Sequence, residues 1–126
     1  MVVAGEPLCI EIDYAASEPL SNPAAAVVIE KPEIGRVALL QTLLQHGPVS
    51  QLPAAGTLRC SVSRLPLGPG TYTLTLGIAV HGKPLDWLEQ CITLEVQTGD
   101  FYGNGCLPKE VHGLVLLDAH WDLPGA

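Results

Sequence analysis

Basic side chains are scarce: six Lys and Arg stand against thirteen Asp and Glu, a formal charge of −7. A surface of that sign opposes the phosphate neutralisation on which nucleic-acid binding depends, so nucleic acid is excluded as a partner, and anionic lipid ranks low for the same reason. Long apolar runs are missing. The longest, Ala24 to Ile29, falls far short of the ~20 residues a bilayer-spanning helix needs. The first residues show no basic-then-apolar leader, so a cytoplasmic chain is expected. Cysteine is present but unclustered: Cys9, Cys60, Cys91 and Cys106 form no C-x-x-C pair and do not alternate with histidine, which argues against a metal site. Cys60 falls on the apolar face of its segment and Cys91 on the polar face of its own, so free thiols are expected rather than a bridge.

Catalytic signatures are absent too. G-x-S-x-G, H-E-x-x-H, G-x-G-x-x-G and the phosphate-binding G-x-x-x-x-G-K-[ST] do not occur, so neither a nucleophile elbow nor a nucleotide cradle is indicated. Asp118, His120 and Asp122 are the one acid/histidine cluster, and a solvated strand end explains them better than catalysis does. No cofactor is expected.

What is present is one domain's length of chain, 126 residues, with 48% hydrophobic and 15% charged side chains. That composition builds a core and is incompatible with disorder. Thirteen glycines and eleven prolines are spread singly along it, the punctuation of many short elements. Period-two alternation dominates. Leu8, Ile10, Ile12 and Tyr14 share one face of a first strand, and Ala24 to Ile29 make a second. Arg36 to His46 suits either helix or strand, a strand through Gln41 being preferred. Leu58, Cys60 and Val62 alternate with Thr57, Arg59, Ser61 and Ser63. Tyr72, Leu74, Leu76, Ile78 and Val80 alternate with Thr71, Thr73 and Thr75. His81 to Pro84 reads as a turn, Ile92, Leu94 and Val96 as a strand, and Leu114 to Trp121 as the last strand.

Strands at such intervals without an amphipathic helix predict an all-β fold, an immunoglobulin-like antiparallel β-sandwich, with a jelly roll as the alternative. Tyr72, following Leu65-Pro66-Leu67-Gly68-Pro69-Gly70, has the setting of a tyrosine corner, with a buried ring whose hydroxyl ties back to the preceding loop. The main body is expected over residues 1–98. A loop over 99–113 then leads to a terminal strand over 114–126 of the same domain.

Several short motifs, taken in order, carry a family resemblance. Gly5-Glu6-Pro7-Leu8 opens a strand ending at Tyr14, Asn22-Pro23 follows, and Leu65-Pro66-Leu67 precedes Pro69-Gly70-Thr71-Tyr72-Thr73-Leu74. Asp86-Trp87 then stands ahead of Leu94-Glu95-Val96, and Gly99 to Gly105 ahead of Gly113 to Leu117 and Trp121. Across essentially the whole chain this resembles the C-terminal carbohydrate-binding domain of Wzt-type ATPase subunits of O-antigen ABC exporters. The resemblance implies a non-catalytic module that recognises O-antigen polysaccharide. It further implies a homodimer, with the last strand exchanged between protomers, working with the ATPase and transmembrane parts of an exporter at the inner face of the cytoplasmic membrane.

Sugar recognition needs planar hydrogen-bonding groups and an apolar ring for the pyranose face. Arg59 and Ser61 on one strand, Thr73 and Thr75 on another, and Asp86 and Trp87 near a turn are the candidate contacts, because their side chains leave the core face or occupy the turn. Trp87 suits a stacking platform or a core plug; Trp121 is equally open. The rival readings are an immunoglobulin-like structural or protein-interaction module that binds by an exposed edge strand, and a small accessory domain of an enzyme.

Overall fold

The computed structural model describes residues 1–125. Nine strands follow in chain order: β1 (Val2–Val3), β2 (Leu8–Ala15), β3 (Leu20–Ser21), β4 (Pro23–Lys31), β5 (Gly35–Gln41), β6 (Gln51–Leu52), β7 (Ala55–Val62), β8 (Gly70–Val80) and β9 (Lys83–Gln97). The fold is all-β. Five strands form one sheet in the order β1-β9-β8-β4-β5, β2 pairs with β7, and β3 pairs with β6. No helix among the described residues is long and apolar enough to cross a membrane.

The alternation in β2 and β8 decides how the layers meet. Ile10 from β2, Val27 and Ile29 from β4, Tyr72 and Leu74 from β8, and Leu94 and Val96 from β9 belong to one buried cluster, with Leu8, Ile12 and Cys60 packed against it. The β2–β7 pair therefore covers the inner face of the large sheet, and the other parity of β4, β8 and β9 faces outward. Pairing is antiparallel except between β1 and β9, where Val2 and Val3 run parallel to Val96 and Gln97. The sheet is mixed at that edge, a departure from the purely antiparallel expectation.

The tyrosine corner is present as expected. Tyr72 is fully buried, and its hydroxyl donates to the Gly68 carbonyl at 2.8 Å. Gly68 has no room for a side chain, since an added Cβ would lie 2.3 Å from the Gly113 carbonyl oxygen. That close approach lets the chain after β9 dock on the corner: Gly68 N–H donates to Leu114 O, and Leu116 N–H to Pro66 O.

Two expectations are revised and one is met. Residues 83–97 form one strand, so Pro84 to Trp87 belong to the ladder rather than to a turn; the turn itself is confined to His81 and Gly82. Gln41 ends β5, as preferred, and Thr42–His46 then close a single wide helical turn that accommodates the leucines of that segment. Residues 114–125 form no strand within this chain. Val115 makes one isolated antiparallel bridge with Leu67, and Leu117, Trp121 and Leu123 are left exposed.

Candidate functional site

The outward face of the large sheet has a floor of small residues. Ala24, Ala26 and Val28 of β4 lie beside Ala79, Gly77 and Thr75 of β8, and Thr73 continues the row beside Glu30. Gly77 is paired with Trp87 of β9. A Cβ on Gly77 would sit 2.1 Å from the indole of Trp87, so the ring lies across the glycine in the space a side chain would fill. Trp87 remains 46% exposed, and the side of the indole away from Gly77 is open to solvent. A flat aromatic surface of this kind can stack on an apolar face.

Thr75 is not on the open part of this face, contrary to the expectation from its parity. It is 3% exposed. The cause is an irregularity in the ladder: Leu74 pairs with Ile92 and Leu76 with Leu88, so Glu89, Gln90 and Cys91 all stand opposite Thr75. Gln90 adopts a left-handed backbone, φ 45°, which turns its N–H onto the Thr75 hydroxyl at 2.9 Å. That hydroxyl donates in turn to Glu30 Oε1 at 2.9 Å. Thr75 thus fixes the bulge that overhangs the face. It is spent on structure and is not a free contact. Cys91, in the same bulge, donates its thiol to the Leu74 carbonyl.

The remaining candidates are divided among different places. Arg59 and Ser61 belong to the other layer: Arg59 Nε lies 3.3 Å from Glu11 Oε2, both side chains largely exposed, and the Ser61 hydroxyl is directed at Cys9 Sγ. Both residues border a cleft along the free edge of β7, together with Ile12, Val27, Leu40 and Gln45. Asp86 caps the Trp87 N–H at 2.9 Å and lines a second cleft, beside the free edge of β2, with Asp13, Tyr14, Leu85 and Leu88. Of the six candidates, Thr73 and Trp87 share the open face, Thr75 lies beneath it, and Arg59, Ser61 and Asp86 lie elsewhere.

Glu30 and Gly77 are not among the contacts that the sequence suggests. A glycine inside an otherwise regular strand is the signal for a close approach, and here the approaching group is the indole. Burial raises the pKa of Cys60, with the neighbouring Cys9 adding to the effect; Cys60 faces the core and not a reaction site. All four cysteines are free. Among the described residues no group of three or more His, Cys, Asp or Glu is placed to hold a metal. His120 and Asp122 are 3.6 Å apart and almost fully exposed, while Asp118 turns to Arg64 at 3.6 Å.

A family model described as the Wzt C-terminal domain matches residues 1–116. A solved structure described as the crystal structure of the C-terminal domain of wzt aligns with 97% of this chain and 72% of its own, with a TM-score of 0.70 and 15% identity. At that identity the likeness establishes the fold. No curated protein matches the chain.

Proposed function

The chain belongs to the Wzt C-terminal domain family, and from that premise we propose that it is a non-catalytic module that binds O-antigen-type polysaccharide for export. The observation that carries the reading is the indole of Trp87, laid over Gly77 and left open on its other side. A pyranose presents an apolar face to such a ring, and further units of an extended polymer would present hydroxyls to Thr73, Thr93 and Glu30 along the same face. The earlier candidate set narrows accordingly to Trp87 and Thr73, with Thr75 and Glu30 supporting the bulge beside them. Partnership with the ATPase and transmembrane parts of an ABC exporter, on the cytoplasmic side of the membrane, completes the proposal and rests on the family.

The same reading includes a homodimer. Leu85, Leu88 and Ile92 are exposed; by register Leu88 and Ile92 face inward on β9, and Leu85 and Leu88 border the cleft at the free edge of β2. Val115, Leu117 and Trp121 are exposed on the tail. Two unpartnered apolar surfaces in one chain, one of them beside an open strand edge, support an exchange in which the tail of one protomer covers the sheet of the other. The free edges of β2 and β7 also suit a protein-interaction module that binds an added strand, which is the second reading.

Isothermal titration separates them. Purified O-polysaccharide is expected to bind, and Trp87→Ala is expected to weaken binding by about 1–3 kcal/mol with the fold retained. No binding of the polysaccharide would favour the protein-interaction reading.

A further inference from the structure

The outward face of the large sheet, which carries Trp87 towards one end, is poor in positive charge, which bears on the kind of glycan it takes; this inference rests on the carbohydrate reading above. By register Glu30 stands beside Thr73, and Glu95 beside Thr71, while Glu89 lies in the bulge opposite Thr75. The six Lys and Arg are almost all placed elsewhere. Lys31 donates to the Thr71 carbonyl at 3.2 Å and lies 4.7 Å from the centre of the Tyr72 ring, on the core side. Arg59 pairs with Glu11 on the other layer. Arg64 stacks on Phe101 and donates to its carbonyl, with Asp118 beside it. Lys83 begins β9 at its turn, and Lys109 lies in the loop beyond β9. Arg36 alone shares the face by register, opposite Glu30, and it makes no ion pair among the described residues.

Recognition of a uronate, phosphate or sulfate calls for a forked guanidinium or a cluster of cations aimed at the anion. Here Glu30 stands between the one available arginine and β8. Carboxylates are acceptors, and the hydroxyls of an uncharged sugar are donors. A ligand anion about 4 Å from one exposed carboxylate is disfavoured roughly fivefold, and more where water is excluded. We propose that this face selects an uncharged glycan segment, held by stacking on Trp87 and by hydroxyl donation to the carboxylates and threonines further along the sheet, and that it discriminates against polysaccharides carrying acidic groups.

The test is an array of purified bacterial polysaccharides, neutral and acidic, probed with the whole chain at low and at physiological salt. The strongest signals are expected on neutral polymers. The best neutral polymer is then titrated before and after oxidation of its primary hydroxyls to carboxylates. The oxidised form should bind at least tenfold more weakly, with the gap narrowing as salt rises and in a Glu89→Gln/Glu95→Gln double variant. Strongest signals on acidic polymers, or a gap indifferent to both salt and the double variant, would overturn the selectivity while leaving the carbohydrate reading intact. Absence of binding to every glycan would overturn that reading, and the selectivity with it.

Discussion

Tyr72 joins the core to the loop that precedes its strand. The ring sits at the centre of the buried cluster, and the hydroxyl reaches the Gly68 carbonyl, so Tyr72→Phe keeps the packing and removes one buried bond. The expected cost is about 1 kcal/mol, read as a lower denaturation midpoint with the strand content unchanged. Burial, and secondarily the Glu110 carboxylate, raise the pKa of this phenol. The sign of the linkage follows. As pH climbs past the ordinary tyrosine range the unfolded chain loses this proton first and is favoured, so Tyr72 makes stability fall on the alkaline side. Denaturation midpoints measured from pH 8 to pH 11 should fall less steeply for Tyr72→Phe than for the parent. Trp87 supports a different single-residue test. In Gly77→Ala the new methyl group meets the indole, which must lift from the sheet. Polysaccharide affinity and the tryptophan emission maximum should then change together, while circular dichroism stays that of a β protein.

At the scale of the element, β8 and β9 mark the boundary between what the sequence discloses and what it withholds. Alternation from Tyr72 to Val80 gave the strand, its buried side and its corner, because one face packs against β2 and the other does not. Alternation could not disclose that three residues of β9 stand opposite Thr75, since a bulge is a relation between two strands and leaves no period in either. Gln90, with its left-handed backbone, carries no compositional mark of the kind Gly or Asn would. Parity consequently points Thr75 to the open face and composition points Asp86 to a turn, although both are fixed by cross-strand pairing. Parity puts Arg59 and Ser61 on a polar face, where both are exposed, but parity along one strand does not say which layer that face belongs to. The bulge itself is open to test. Thr75→Val keeps the shape and β-propensity of the side chain but removes the acceptor of the Gln90 N–H and the donor to Glu30. A loss of about 1–3 kcal/mol is expected, with faster amide exchange at Gln90, measurable by NMR.

For the whole molecule the decisive imbalance is between two layers of unequal width. Five strands face two, so the inner side of β9 runs past its cover and leaves Leu88 and Ile92 exposed. The chain beyond Leu116 carries Leu117, Trp121 and Leu123, also exposed, and no strand forms there among the described residues. Exposed apolar side chains in this number suit an interaction surface, and exchange of the tail between two copies would satisfy both surfaces at once. Sedimentation at tens of micromolar is expected to give a dimer. Truncation after Leu117 preserves the buried Leu116, its bond to Pro66 O and the Val115–Leu67 bridge, and so should leave the protomer folded while shifting it to monomer. Leu88→Glu places a charge on the surface to be covered and should act in the same direction. A parent chain that sediments as a monomer would exclude the exchange, as would a truncated chain that dimerises as well as the parent.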